Sequence, residues 1–154
     1  MESKRIIGLD VGSHTIGVAV SDPLGWTATG LKVIRRKRLE DDLKQLLELF
    51  DYYQVKKIII GLPKNMNNTL GPQAQYSLDF AEILKEQSGL PIIMWDERLS
   101  TKSAERALIE GGARRKKRRQ IIDKIAAAVI LQSYLDAQQV GNSLNDQEDE
   151  ALNS

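Results

Sequence analysis

The chain has no cysteine, which excludes disulfides and thiolate metal sites. It has one histidine, His14. No apolar run approaches the roughly 18 residues needed to span a bilayer. The N-terminus "MESKRII" lacks the charged, apolar and small-residue regions of a signal peptide. These absences point to a cytoplasmic protein with no membrane partner. Residues 140–154 have no Lys or Arg, yet they carry Asp146, Glu148, Asp149 and Glu150. Those four acids account for the difference between +1 for the whole chain and +5 for residues 1–139. A short acidic stretch with few apolar residues favours disorder. The expected organisation is therefore a single domain over 1–139 and a disordered tail over 140–154.

Much of the basic charge falls in two clusters. One is Lys32 with Arg35, Arg36, Lys37 and Arg38. The other is "RRKKRR": Arg114, Arg115, Lys116, Lys117, Arg118 and Arg119. Such a run can be a solvated loop. Its self-repulsion would be relieved by an anionic partner such as nucleic acid.

Apolar periodicity gives the order of elements. Residues 5–11 and 15–21 read as adjacent strands around a turn at Gly12, Ser13 and His14. A third strand is expected within 26–36, after the turn residues Pro23 and Gly25. Leu39, Leu43, Leu46, Leu47 and Phe50 recur at helical spacing and predict a helix over 39–53. The run "KKIIIG", 56–61, is a buried strand, and 62–72 is a polar loop. A helix over 73–88 stops at Gly89, with Pro91 beyond. A strand follows at 92–97, then helices at 100–110 and 120–138. Three strands in a meander followed by alternation predict an α/β protein with a mixed five-stranded sheet flanked by helices.

Three acids stand out. Asp10 lies inside an apolar strand, where an unpaired carboxylate is costly. It shares a strand face with Gly8 and Gly12, which leaves a bare surface for an ion or phosphate to approach. Asp96 and Glu97 end an apolar strand and point to opposite faces, so at most one should join Asp10. Asp123 shares a helical stripe with Ala126, Ala127 and Ile130. Each has a plainer reading: Asp10 as a buried acid bonded to a backbone amide, Glu97 as the partner of Arg98, Asp123 as an early-helix acid favoured by the dipole. Together, three inward carboxylates would repel unless a cation sat among them. All-oxygen donors favour Mg²⁺ or Mn²⁺. Lys64, Asn65 and Asn67, with Arg98 and the 114–119 run, are candidates for binding a phosphate backbone.

The stretches "GLDVGSHTIGVAVSD" (8–22), "IIIGLPKNMNNTLGP" (58–72), "FAEIL" (80–84), "DERLST" (96–101) and "IDKIAAAVILQSYL" (122–135) occur in that order. In this the chain resembles the YqgF family, which is RuvC-like and Holliday-junction-resolvase-like. The resemblance covers about residues 4–138. It implies a ribonuclease H-like fold and a metal-dependent nuclease with Asp10, Glu97 and Asp123 as catalytic metal ligands around two Mg²⁺ or Mn²⁺ ions. Bacterial members are described as nucleases of pre-16S ribosomal RNA. The implied function is thus processing of its 5′ end during ribosome biogenesis, with a ribosome precursor as partner. The alternatives are a resolvase of branched DNA and a non-catalytic ribosome-assembly factor. The chain departs from the family pattern at Thr15, near which many members carry Arg, at Asn68, where Gly is common, and at Gln73, where Arg is common. His14 is expected to be a turn residue.

Overall fold

Alternation with a period of two builds the first strands. Ile7, Leu9 and Val11 of β1 (Arg5–Val11) face one side, and Ile6, Gly8 and Asp10 face the other. The structure, a computed structural model, describes residues 5–65, 67–99 and 124–139. β2 (Thr15–Ser21) and β3 (Ala28–Arg35) complete the meander. The chain continues through α1 (Leu39–Tyr52), β4 (Val55–Leu62), α2 (Pro72–Ser88) and β5 (Ile92–Asp96). A 3₁₀ turn, Glu97–Leu99, follows β5, and helix α3 runs over 124–139. The helix expected over 100–110, the basic run 114–119, Asp123 and the tail 140–154 lie outside the described residues.

The five strands form one sheet in the order β3-β2-β1-β4-β5. β1 pairs antiparallel with β2, and β2 with β3; β1 pairs parallel with β4, and β4 with β5. The predicted mixed sheet is thus found, and the strand boundaries agree to within two residues. The parallel half brings the C-terminal ends of β1, β4 and β5 to one end of the sheet. That is where sites in such sheets collect.

One face packs on α1 and α2. Ile7, Leu9, Ile16, Val18, Ile34, Ile58 and Ile60 meet Leu43, Leu46 and Phe50 of α1 and Phe80 and Leu84 of α2. The other face packs on α3, where Ile6, Ala19 and Ile59 meet Ala127, Ile130, Leu131, Tyr134 and Leu135. Each such side chain taken fully out of water contributes about 1.5–3 kcal/mol before entropy is subtracted.

The bare surface at Gly8 proves to have a different use from the one expected. A Cβ there would lie 2.7 Å from Leu131 Cβ and 3.1 Å from the Ala127 carbonyl oxygen. Helix α3, and not an ion, fills the space above Gly8. Replacing Gly8 with Ala should therefore overpack the α3 interface and cost about 1–3 kcal/mol. Urea melts of Gly8→Ala and the parent check this; equal midpoints would mean that α3 is not seated on β1.

Candidate active site

Asp10 sits half-buried near the C-terminal end of β1, opposite Gly17 of β2. Two strands away, β5 ends at Asp96, and the 3₁₀ turn starting at Glu97 redirects the chain. The register pairs Leu62 with Asp96 and Gly61 with Trp95. Gly61 makes room for the Glu97 side chain: a Cβ at 61 would lie 2.5 Å from Glu97 Oε1 and 2.9 Å from its Cγ. The same Cβ would lie 2.6 Å from Ile130 Cδ1, so a larger residue at 61 would force the Glu97 carboxyl, the Ile130 side chain or both to shift.

The two sheet-end carboxyls meet. Burial pushes the Glu97 carboxyl up from its ordinary 4.5 to about 7. The charge of Asp10, a hydrogen bond with Asp10 and the charge of Asp96 push it the same way. A hydrogen bond between two carboxyls requires that one hold a proton. Below about pH 7 the pair therefore holds a proton between its two carboxyls.

Asp96 has a separate role. Arg98 Nη2 donates to Asp96 Oδ2 at 2.7 Å, and Arg98 Nε lies 3.0 and 3.1 Å from the two carboxylate oxygens. This hydrogen bonding holds the Asp96 carboxyl below its ordinary value. Arg98 also donates to the Asn65 carbonyl at 3.2 Å and to Asn68 Oδ1 at 2.8 Å. It thus pairs with Asp96 and ties the 64–70 loop to the residue beside Glu97.

Within that loop, Asn65 Nδ2 donates to Thr69 Oγ1 at 3.0 Å. Asn67 Oδ1 accepts from the Thr69 amide at 3.2 Å and from the Thr69 hydroxyl. Lys64 bridges to Leu70 through the backbone. Asn68 adopts φ 67, a left-handed conformation that glycine favours and asparagine tolerates. This accounts for Asn at a position where the family commonly has Gly. The loop is held by its own side chains, and its phosphate-binding candidates stand on a fixed frame.

The sequence reading missed the support beneath Asp10. Arg36 Nη1 donates to the Gly12 carbonyl at 3.1 Å, and the Arg36 amide donates to the His14 carbonyl at 2.9 Å. Arg36 Nε pairs with Asp42 Oδ2 at 3.1 Å, and Asp42 is only 1% exposed. The guanidinium also donates to the Tyr76 hydroxyl and lies 5.2 Å from the Tyr76 and Phe80 ring centres. Gln73 Nε2 donates to the Val11 carbonyl at 3.1 Å. Two side chains from elsewhere in the chain therefore hold the consecutive carbonyls just after Asp10. The Lys32–Arg38 cluster is not one charged surface, because Arg36 is an internal brace. A signal was present: Asp42 lies on the Leu39–Leu46 stripe of α1. His14 is an exposed turn residue, as expected.

Among the described residues no group of three or more His, Cys, Asp or Glu could hold a metal. Asp10 and Glu97 come together; Asp123 lies outside those residues. The donor chemistry suits a hard divalent cation, because it supplies carboxylate oxygens that carry a proton for want of a positive charge. Among the described residues no helix is long and apolar enough to cross a membrane.

Comparison with known proteins decides the family. The model of the RuvX family, described as Holliday junction resolvase, matches residues 4–137. The chain belongs to the RuvX family. A Clostridium tetani relative named "Putative pre-16S rRNA nuclease" is 57% identical over 133 residues, covering 86% of this chain and 96% of the relative. A Listeria monocytogenes serotype 4b relative of the same name is 56% identical over 134 residues, covering 86% and 97%. The fold is that of RuvC-like resolvases, of ribonuclease H-like type. Thermus thermophilus RuvC in complex with a Holliday junction has a TM-score of 0.57 at 16% identity, covering 88% of this chain and 96% of that one. The fowlpox virus resolvase, solved with Holliday junction DNA, has a TM-score of 0.51 at 12% identity, covering 87% and 98%. Nuclease is the enzyme class of this RuvX protein, and RuvC-like nucleases are generally divalent-metal dependent.

The raised Glu97 pKa makes a signed prediction for the metal-free protein. Between 4.5 and about 7 the folded state holds a proton that the unfolded state has released. Stability is then full below the unfolded value and falls as pH rises through the folded one. The displacement from 4.5 to about 7 caps the loss at ~3 kcal/mol, and partial solvent screening brings it to on the order of 1–2 kcal/mol. Urea melts in EDTA at pH 5 and pH 8 should show this loss in the parent and much less in Glu97→Gln. Equal losses in both proteins would contradict the shared proton.

Proposed function

We propose that this RuvX protein is a divalent-metal-dependent nuclease that processes the 5′ end of pre-16S ribosomal RNA, with the ribosome precursor as its partner. The observation that carries the reading is the Asp10–Glu97 pair: two carboxyls held together at the sheet end at the expense of an extra proton. Residues 1–139 would act as a single domain, since all five described strands join one sheet.

In this reading Asp10, Glu97 and Asp123 hold one or two Mg²⁺ or Mn²⁺ ions. Asp123 precedes Lys124 directly and stands four residues before Ala127, whose carbonyl lies against Gly8 in the strand of Asp10. When bound, such ions polarise a phosphoryl oxygen and lower the pKa of water. The side chains do the rest. Glu97 gives up its shared proton as the pair is neutralised. Gly61 and the Arg98–Asp96 pair fix where the Glu97 carboxyl stands, and Arg36 and Gln73 fix the turn after Asp10. Lys64, Asn65, Asn67 and Arg98 bind the substrate backbone from the 64–70 loop, and Arg114 to Arg119 bind flanking phosphates by charge.

RNA is favoured over a DNA junction as substrate because the relatives at 56–57% identity carry the rRNA-nuclease name. The neighbours solved with junction DNA, at 12–16% identity, share the fold alone. The test incubates purified protein with a pre-16S rRNA fragment, beside a four-way DNA junction, in Mn²⁺ or Mg²⁺. Cleavage of the RNA is expected, and Asp10→Asn should reduce it at least a hundredfold, about 3 kcal/mol in the barrier. At pH 8, where the pair has given up its shared proton, metal-free Asp10→Asn should be at least as stable as the parent, because one of two repelling carboxylates is gone. Full cleavage by Asp10→Asn would move the site elsewhere, and cleavage of the junction alone would replace RNA with DNA.

A further inference from the structure

Arg35 and Arg36 are adjacent in sequence and opposite in environment. Arg36 is the internal brace described above, whereas Arg35 is exposed at the end of β3. Among the described residues the Arg35 side chain has no hydrogen bond and no ion pair. Its direction follows from strand alternation. Ile34 is 1% exposed and packs with the α1 and α2 face, so Arg35 points to the opposite face. Val11 and Ile16 pack with the same core as Ile34, so Asp10, Thr15 and Gly17 also lie on the face of Arg35.

The register locates Arg35 relative to the carboxyl pair. Asp10 is opposite Gly17, Gly17 is opposite Val33, and Arg35 is opposite Thr15 at the same sheet end. Two strand spacings across and two residues along put Arg35 roughly 12 Å from Asp10, backbone to backbone. The strand between them presents Gly17, with no side chain, so the sheet surface is low there. Lys124, the first described residue of α3, packs on Gly30, five residues back along β3. The described part of α3 therefore stops short of Arg35.

We infer that Arg35 is a phosphate-binding residue for the nucleic-acid backbone flanking the scissile bond. The inference rests on the proposed nuclease reading and adds a site on β3, an edge strand, to it. The strand end is preorganised: the Arg36 amide bonds to the His14 carbonyl, and the Arg36 side chain is locked by Asp42 and Gly12. Arg35 thus projects from a fixed backbone, which lowers the cost of ordering it on a ligand. The separation sets its role. Arg35 stands two strands from Asp10, across the low surface at Gly17, so its contact falls on substrate flanking the carboxyl pair. It binds a neighbouring phosphate and acts on substrate affinity, without stabilising the reacting phosphate or the metal ligands.

The experiment uses Arg35→Ala, Arg35→Lys and Arg35→Gln in the full chain. Binding is measured in Ca²⁺ over a series of salt concentrations, with a pre-16S rRNA fragment in one arm and a four-way DNA junction in the other. For the arm that the parent cleaves, Arg35→Ala and Arg35→Gln should weaken binding several-fold at low salt. The salt slope should fall by about one. Arg35→Lys should restore most of the affinity, because phosphate contact tolerates a point charge. KM should rise with kcat unchanged, and the shift of the melting temperature by Mn²⁺ should match the parent. Unchanged affinity and salt slope in Arg35→Ala would overturn the inference. So would a lost Mn²⁺ shift or a large fall in metal-free stability, since these would make Arg35 structural. Cleavage by the parent that is lost in Asp10→Asn supports the nuclease reading whichever way Arg35 falls. A parent that binds and cleaves neither nucleic acid overturns both.

Discussion

Two carboxyl groups, Asp10 and Glu97, are kept in contact although they repel when both are charged. Much of the local architecture serves to hold them there. The parallel register of β1, β4 and β5 brings both to one end of the sheet. Gly61 opens the space that the Glu97 side chain occupies. On the Asp10 side, Arg36 and Gln73 fasten the carbonyls of Gly12 and Val11. On the Glu97 side, Arg98 grips Asp96 and the 64–70 loop together. Without these supports the carboxyls would relax apart, and the proton that Glu97 carries would have no reason to stay.

The supports differ in kind, and this affects how each can fail. The Arg36–Asp42 pair is almost fully buried, so losing one partner would strand a charge in the core and cost several kcal/mol. The Arg98–Asp96 pair is partly exposed, so its contribution to stability is modest and its use is geometric. The contact of α3 with β1 at Gly8 involves no charge at all; it is a matter of volume. The same sheet thus carries a buried ion pair beneath one acid, an exposed one beside the other and a close apolar contact over Gly8.

The meander, the alternation and the two described acids were legible in the sequence because each rests on local signals. A carboxylate inside "IIGLDV" conflicts with its own neighbours, and an acid after "IIMW" ends an apolar run. The partners were not legible. Arg35 and Arg36 belong to one basic cluster in the sequence, and only burial against Asp42, Tyr76 and Phe80, up to 44 residues away, separates them. Gly8 reads as an opening for a ligand until a helix more than 100 residues later is seen to fill it. Glu97 and Asp96 compete for Arg98 on paper; the turn after β5 gives it to Asp96. The family resemblance located the acids but said nothing of what braces them.

The central claim is that the shared proton stands where a divalent cation would bind. The most direct test is calorimetry of Mn²⁺ binding at pH 6.5 in two buffers of different ionisation enthalpy. The parent should bind Mn²⁺ and release on the order of half to one proton as it does so. Glu97→Gln should bind more weakly and release almost none. Mn²⁺ binding with no proton released, or equal release from both proteins, would contradict the account.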